Sequence, residues 1–151
     1  MTMIAKYYID KPKELYSKLI NNIDNLFDHA SRETYKIKKK RGVRYKVRLM
    51  DGVNILFEGY LYLVPESLSS IQYVLTNNSY VLKIRFEFYR SPYDNRYLIK
   101  ISLSNNNRDI NSMEKILLNK IFETINERIR KVFYDVGFEP IKDLVVEIYN
   151  L

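Results

Sequence analysis

The chain has 151 residues, which favours a single domain built around one hydrophobic core. Hydrophobic residues make up 46% and charged residues 28%, a balance that argues against intrinsic disorder, and the absence of cysteine excludes disulfides, thiolate metal sites and a cysteine nucleophile. The 25 Lys and Arg face 18 Asp and Glu, and the resulting net charge of +7 favours negatively charged partners.

The N-terminal segment MTMIAKYYID lacks the apolar stretch of a signal peptide. No apolar run approaches the length of a membrane span. We therefore expect a soluble, cytoplasmic protein.

The first predicted elements are a strand and a pair of short helices. Residues 2–9 alternate as a strand does. Asp10 is a candidate helix cap, and Pro12 suits a first helical turn. Helical spacing follows, but the run NNIDN predicts a break near Asn21 and Asn22. The apolar positions of this stretch are Leu15, Leu19, Ile23, Leu26 and Phe27.

From about Glu33 to Ser104 the sequence alternates with period two, which predicts six consecutive strands. Asp51-Gly52 favours a tight hairpin, and Pro65 predicts the end of one strand. With the N-terminal strand the predicted sheet has seven strands. Its inward positions after the first strand are Val43, Tyr45, Val47, Leu49, Ile55, Phe57, Gly59, Leu61, Leu63, Ile71, Tyr73, Leu75, Ile84, Phe86, Phe88, Tyr97, Ile99, Ile101 and Leu103.

A long amphipathic helix is predicted from Ser112 to Val136, with Asn111 as its cap and Glu114 completing a capping box. Gly137 suits the position after its end. We expect Ile121, Ile125 and Ile129 to face the sheet. The whole predicted apolar face is Met113, Ile116, Leu117, Ile121, Ile125, Ile129, Val132, Phe133 and Val136.

The last residues are ambiguous. Ile141, Leu144, Val145 and Ile148 fit a short helix, whereas Leu144, Val146 and Ile148 fit a strand. We therefore assign residues 1–137 to one domain and residues 138–151 to a C-terminal extension of it.

The order of these elements resembles the helix-grip fold of the START and birch-pollen-allergen superfamily, also called SRPBCC. The segments that carry the resemblance are IDKPKELYSKLINNIDNLF, GVNILFEGYLYLVPESLSSIQYVL and YVLKIRFEFYR. The resemblance covers Met1 to about Gly137. It implies an α+β fold in which a curved, seven-stranded antiparallel sheet wraps around a long C-terminal helix.

The same superfamily includes polyketide cyclases, a carbon monoxide dehydrogenase component and many uncharacterised archaeal single-domain proteins, which this chain resembles. Its members generally hold an apolar ligand between the concave sheet and the last helix. The extension departs from the usual pattern of ending at that helix, which leaves room for a homo-oligomer formed through it.

Aromatic residues on the inferred concave faces are the candidate ligand pocket, because rings supply apolar area and tyrosine hydroxyls can orient a polar group. The alternative is that they fill the core, and both interpretations remain open. The predicted pocket residues are Tyr45, Phe57, Tyr73, Phe86, Phe88 and Tyr97 from the sheet, and Met113, Leu117 and Ile121 from the helix.

Catalytic and metal-binding patterns are weak. His29 is the sole histidine and suits a surface position. Glu58 and Glu87 alternate with inward apolar residues, so they should point outward rather than form an acid–base pair. The glycines do not form a phosphate loop. We predict no catalytic residue, metal site or cofactor.

A run of cations without any acid spans residues 36–48, and its members include Lys36, Lys38, Arg44, Lys46 and Arg48. One interpretation is a solvated face that protects an edge hairpin. The other is a patch that binds nucleic acid or another anionic surface. The aromatic residues are expected to lie mostly on the opposite face, which disfavours base stacking.

The sequence therefore predicts a non-catalytic binding or carrier protein for a small hydrophobic or aromatic molecule. Two alternatives stay open: a nucleic-acid-binding module that uses the basic hairpin, and a cyclase or hydrolyase with a pocket tyrosine as its acid. Fold analogy by itself does not choose among them.

Overall fold

The computed structural model describes residues 2–106 and 109–141, together with the backbone of 148–149. These residues form one antiparallel sheet and two α-helices. The strands are β1 (Thr2–Ile9), β2 (His29–Ile37), β3 (Lys40–Asp51), β4 (Asn54–Ser67), β5 (Ser70–Thr76), β6 (Val81–Arg90), β7 (Tyr97–Asn105), β8 (Glu139–Pro140) and β9 (Ile148–Tyr149).

The sheet follows the order β2-β3-β4-β5-β6-β7-β1-β8, with β9 also paired to β1. Short connections join β2 through β7, because antiparallel neighbours need only a hairpin between them. The N-terminal strand returns beside β7, where Thr2 lies opposite Ser104 and Ile9 opposite Tyr97. The predicted helix-grip architecture is confirmed, with seven main strands and two short strands added by the C-terminal extension.

The helical segments after β1 are α1 (Pro12–Asn21) and a 3₁₀ turn over Ile23–Leu26, so the predicted break is confirmed. The prediction that Asp10 caps the first helix is wrong, because Lys11 is the cap residue and no side chain caps it. Asp10 instead lies beside Gly137, whose φ is 83°. A Cβ at Gly137 would come within 2.2 Å of the Asp10 carboxylate, so only glycine fits this junction.

The long helix α2 spans Ser112–Val132. Its predicted cap is confirmed, since the Asn111 side chain accepts a hydrogen bond of 2.9 Å from the Glu114 backbone N–H. Its predicted end at Val136 is wrong. Phe133 leaves helical geometry, and a separate 3₁₀ turn covers Tyr134–Val136.

The sheet-facing side of α2 is narrower than predicted. Ile121, Ile125 and Ile129 are buried, as expected. Met113 and Ile116, by contrast, are 80% and 68% exposed. The helix carries apolar residues around more of its circumference than the arc that one sheet can cover.

A β-bulge bends the sheet at the start of β4. Leu49 lies opposite Phe57 but Met50 lies opposite Ile55, so Leu56 is an extra residue in the ladder. The bulge changes which side chains point inward. Ile55, predicted to be an inward residue, is 52% exposed, while Leu56 packs against the core.

Two further features shape β4. The prediction that Pro65 ends this strand is wrong: β4 continues to Ser67, with a second register shift between the two residues. Gly59 sits where β4 and β5 approach closely. A Cβ there would lie 2.2 Å from the Thr76 carbonyl oxygen, so glycine is required for the approach.

The core lies between the concave face of the sheet, α1 and α2. Burial of each large apolar side chain in it contributes on the order of 1.5–3 kcal/mol before entropic costs. Among its fully buried members are Met3, Leu15, Leu19, Ile23, Leu26, Leu49, Leu61, Ile71, Tyr73, Leu75, Phe86 and Phe133.

The C-terminal extension returns to the free edge of β1, where Glu139 lies opposite Tyr8 and Ile148 opposite Met3. Residues 142–147 lie outside the described residues. The choice between helix and strand for most of the extension therefore stays open. Ile148 itself belongs to a strand. The domain boundary at residue 137 and an oligomer through the extension stay predictions.

Candidate ligand-binding site

The concave face of the sheet presents its apolar side chains in rows, because opposite residues of antiparallel strands share a face. One row joins Leu63, Tyr73, Ile84, Leu103 and Met3 across five strands. The next contains Ile71, Phe86, Ile101 and Ala5. These rows form the wall that faces the helices.

Tyr73 and Phe86 lie at the centre of this wall and are fully buried. Their ring centroids are 4.8 Å apart in an edge-to-face arrangement. The Tyr73 hydroxyl donates a hydrogen bond to the Leu19 carbonyl at the end of α1. Burial raises the pKa of Tyr73 well above its usual value, and neighbouring Tyr45 adds to the rise. These two rings are packed as core residues.

A second group of predicted pocket residues borders the core rather than filling it. Tyr45, Phe88 and Leu117 are half-buried and pack against the core cluster. The Phe88 ring lies 5.8 Å from the Tyr16 ring of α1, centroid to centroid. Such side chains combine apolar area with access from the surface.

Of the four remaining predicted pocket residues, two are buried and two are exposed. Phe57 and Ile121 are buried at 2% and 0% exposure. Tyr97 and Met113, by contrast, are 42% and 80% exposed, so the prediction that they are enclosed is wrong. Tyr97 does share the concave face with Ile99, and it lies opposite Ile9. Tyr97 is the first residue of β7, where the neighbouring Arg90 guanidinium lies 5.7 Å from its ring.

Met113 instead lines a groove of about 400 Å³ on the outward side of the first half of α2. Apolar walls come from Ile116, Leu117 and the bulge residue Leu56. Lys120, also in the groove, forms a 3.4 Å ion pair with Asp51 at the β3–β4 turn. The groove is open to solvent and extends from the outward side of α2 to Leu56 of β4.

Asn126 is a residue that the apolar pattern of α2 did not single out. It is 6% exposed, on the same helix face as buried Phe122 and Ile129. Its Nδ2 donates to the Phe122 carbonyl at 3.0 Å, which leaves Oδ1 as the free acceptor. Oδ1 is buried and accepts no hydrogen bond. The signal in the sequence was a lone amide at the spacing of an otherwise apolar stripe.

Two arginines mark the limits of the sheet-facing arc of α2. On one flank Arg128 donates to the Leu26 carbonyl at 3.3 Å and to the Met50 carbonyl at 2.9 Å, and its guanidinium pairs with Asp28 at 2.7 Å. On the other flank the Arg130 guanidinium lies 5.5 Å from the Tyr7 ring of β1. At about 100° per residue Asn126 falls inside this arc, on the β1 side.

Asp28 and Tyr7 have perturbed pKa values at these flanks. Burial acts to raise the pKa of Asp28, but hydrogen bonds from Arg128 and from the Met50 N–H outweigh it and lower the pKa overall. Burial raises the pKa of Tyr7, and the nearby Arg130 charge only partly offsets that rise. Both groups therefore keep their ordinary neutral-pH ionisation states.

The predicted basic patch divides between the two faces of the β2–β3 hairpin. Arg44, Lys46 and Arg48 share the convex face, because they alternate with inward residues of β3. Lys36 falls on the other face of β2, and Lys38 lies in the turn. β2 is the edge strand of the sheet, as the edge-hairpin interpretation requires.

Arg44 is held in a cluster on the convex face. Its guanidinium lies 3.9 Å from the Tyr60 ring centroid and 5.3 Å from that of Tyr35. It donates to the Tyr62 hydroxyl at 3.1 Å and pairs with Glu33. The expectation that aromatic residues lie mostly away from the basic face is wrong here, although Arg44 itself covers these rings.

The other candidate chemical groups do not converge. His29 is exposed on edge strand β2. Glu58 pairs with Arg48 at 3.4 Å, and Glu87 accepts a 2.6 Å hydrogen bond from the Tyr89 hydroxyl. Within residues 2–106 and 109–141, no three acidic or histidine side chains are grouped as metal ligands would be. In the same ranges, neither helix combines the length and apolar character needed to cross a bilayer.

Comparison with solved structures shows the same fold in several proteins. A START superfamily protein from Mycobacterium smegmatis has a TM-score of 0.60 at 8% identity, covering 91% of this chain and 98% of its own. An 18 kDa protein from Caulobacter crescentus also scores 0.60 at 8% identity, with 90% and 95% covered. Ara h 8.0201 scores 0.58 at 11% identity, with 89% and 98% covered.

These likenesses show that the chain has the helix-grip fold, which the START superfamily protein shares. At such identities they establish the fold alone. No family model matches the sequence, and no curated protein matches it.

Proposed function

We propose that this protein is a non-catalytic binding or carrier protein for a small hydrophobic or aromatic molecule, held between the concave sheet and α2. The observation that carries the proposal is the buried Oδ1 atom of Asn126, which accepts no hydrogen bond. A buried acceptor without a donor costs on the order of 1–3 kcal/mol, so native proteins rarely keep one without a reason. A hydroxyl or amide group of a bound molecule would supply the missing donor.

The surroundings of Asn126 favour an apolar body for that molecule. Phe122, Ile125 and Ile129 are its buried neighbours on the same helix. The half-buried Tyr45 and Phe88 border the core at opposite ends of the concave face, because Tyr45 shares a row with Leu82 and Phe88 lies six residues further along β6. The ligand class is therefore an apolar molecule with one hydrogen-bond donor. Pockets that hold such small molecules have volumes of roughly 300–1,000 Å³.

Tyr73 argues against the enzymatic alternative. A cyclase or hydrolyase would need a pocket tyrosine that releases its proton to a substrate. Tyr73 donates that proton to the Leu19 carbonyl, and its pKa is raised by burial. The nucleic-acid alternative is weakened because Arg44 already occupies the faces of Tyr35 and Tyr60. A cytoplasmic location and a kinship with archaeal members stay predictions.

The test is a thermal-shift screen of fatty acids, fatty alcohols, isoprenoids and aromatic compounds against the full chain. A ligand at 100 times its Kd stabilises the folded state by about 2.7 kcal/mol. For a chain of this size that stabilisation corresponds to a rise in Tm of about 5–11 °C.

Matched ligands and variants locate the site. 1-Decanol should stabilise the wild type more than n-decane does, because only the alcohol can donate to Asn126. The variant Asn126→Leu should lose that preference, whereas Asn119→Leu should keep it. Asn119 is the matched control because it is the other amide of α2, half-buried one heptad before Asn126. If no compound raises the Tm, or if Asn119→Leu rather than Asn126→Leu changes the response, the proposed interior site is wrong.

A further inference from the structure

The tip of the β2–β3 hairpin concentrates positive charge in an unusual backbone. Lys38 and Lys39 form the two-residue turn, with φ angles of 48° and 66°. Beyond it Lys36 lies opposite Arg41, and Ile37 lies opposite Lys40. We call residues 36–41 the cationic tip.

This arrangement is unfavourable for folding. A left-handed conformation is strained for residues other than glycine, asparagine and aspartate, and two-residue hairpin turns therefore favour Asn-Gly. Like charges placed directly opposite, as in Lys36 and Arg41, also repel. In the part of the chain that the structure describes, no carboxylate forms an ion pair with the five cations of the tip.

Protection of the edge strand does not account for Lys38 and Lys39 at the end of the tip. Cations along β2 would discourage pairing between molecules, but Lys38 and Lys39 lie in the turn, beyond the ladder. Strained positions kept against local preference point to function. A partner with several negative charges would relieve the repulsion.

The apolar residue of the tip favours an anionic bilayer over nucleic acid as the partner. Ile37 is 61% exposed and stands among the cations. Recognition of single-stranded nucleic acid uses open aromatic faces, whereas the tip has no aromatic residue and Arg44 covers the nearest, Tyr35. Basic clusters with an apolar side chain suit the interface of an anionic bilayer.

We propose that the cationic tip docks this protein onto a membrane surface that carries anionic lipids. The cations contact the headgroups, and Ile37 enters the interfacial layer. This function is separate from the ligand-binding proposal, because the tip and Asn126 share no contact and their tests use different variants.

The experiment is co-sedimentation of the full chain with phosphatidylcholine vesicles, with and without about 30% phosphatidylserine. Binding should need the anionic lipid and should weaken as salt rises, since screening shortens electrostatic range. The variant Lys38→Asn/Lys39→Gly removes two charges and installs the preferred turn, so it should fold at least as well. Each cation near such a surface contributes roughly fivefold to binding, so affinity should fall about 30-fold.

A matched control removes the same charge elsewhere. Lys13 and Lys115 are exposed on α1 and α2, and Lys13→Gln/Lys115→Gln should bind nearly as the wild type does. Ile37→Ser should weaken binding while leaving its salt dependence intact. Equal losses in the two double variants would overturn the proposal. So would a salt-sensitive complex with a single-stranded oligonucleotide, lost in the turn variant, when vesicles do not bind.

Discussion

Replacing Phe86 with Ala distinguishes a filled core from a cavity wall. The ring has no exposed surface and packs edge-to-face on Tyr73 at 4.8 Å. Deleting a fully buried phenylalanine ring costs about 3–5 kcal/mol, through lost transfer energy and the cavity left behind. The lost aromatic pair accounts for about 0.5–1.5 kcal/mol of that total.

The assay is urea unfolding at neutral pH, followed by a thermal scan. For a chain of this length each kcal/mol lowers Tm by about 2–4 °C, so Phe86→Ala should lower Tm by roughly 6–20 °C. Phe88→Ala is the matched control, two residues along the same strand. Its ring is half-buried against Tyr16, and its loss should cost only about 1–2 kcal/mol.

The comparison can fail in a clear way. A loss below about 1.5 kcal/mol for Phe86→Ala would mean that the site already contains space or collapses easily. In that case Phe86 lines a cavity, and the assignment of Tyr73 and Phe86 to the packed core is wrong. An equal loss of stability in the Phe88 variant would show that the degree of burial does not determine the cost of substitution at these two positions.

Two further variants test the Asp28–Arg128 ion pair and the close approach of β4 to β5 at Gly59. Asp28→Asn should lower the free energy of unfolding by about 1.5–3 kcal/mol near pH 7, through weaker bonds to Arg128. Because the folded state lowers the pKa of Asp28, this contribution exists above pH ~4 and disappears as the carboxylate protonates, so urea midpoints of wild type and variant should converge in acid. Gly59→Ala should cost about 1–3 kcal/mol or more in the same assay, since its Cβ would meet the Thr76 carbonyl; wild-type stability would contradict that close contact.

Local signals in the sequence determined the elements and their order. Alternation of apolar and polar residues set the seven main strands, because side chains in a strand point to opposite faces in turn. The break after Asn21 and the cap at Asn111 depend on interactions within a few residues, so the sequence was sufficient to predict them. Those elements in that order were enough to indicate a sheet that grips a helix.

The candidate site could be predicted only in part. Periodicity placed Tyr73 and Phe86 on the concave face, and they do lie there. It could not show that the Tyr73 hydroxyl would meet the Leu19 carbonyl, 54 residues away in the chain. That contact decides whether the ring belongs to the core.

Tertiary structure also decided the exceptions. A bulge at Leu56 turned Ile55 outward, and Met113, which lies outside the sheet-facing arc of α2, stayed exposed. Asn126 became a site candidate only once its burial and its unpaired oxygen were visible. The periodicity of the local sequence predicts which face of a strand or helix a side chain lies on. Its burial and its hydrogen-bond partners depend on surfaces that come from distant parts of the chain.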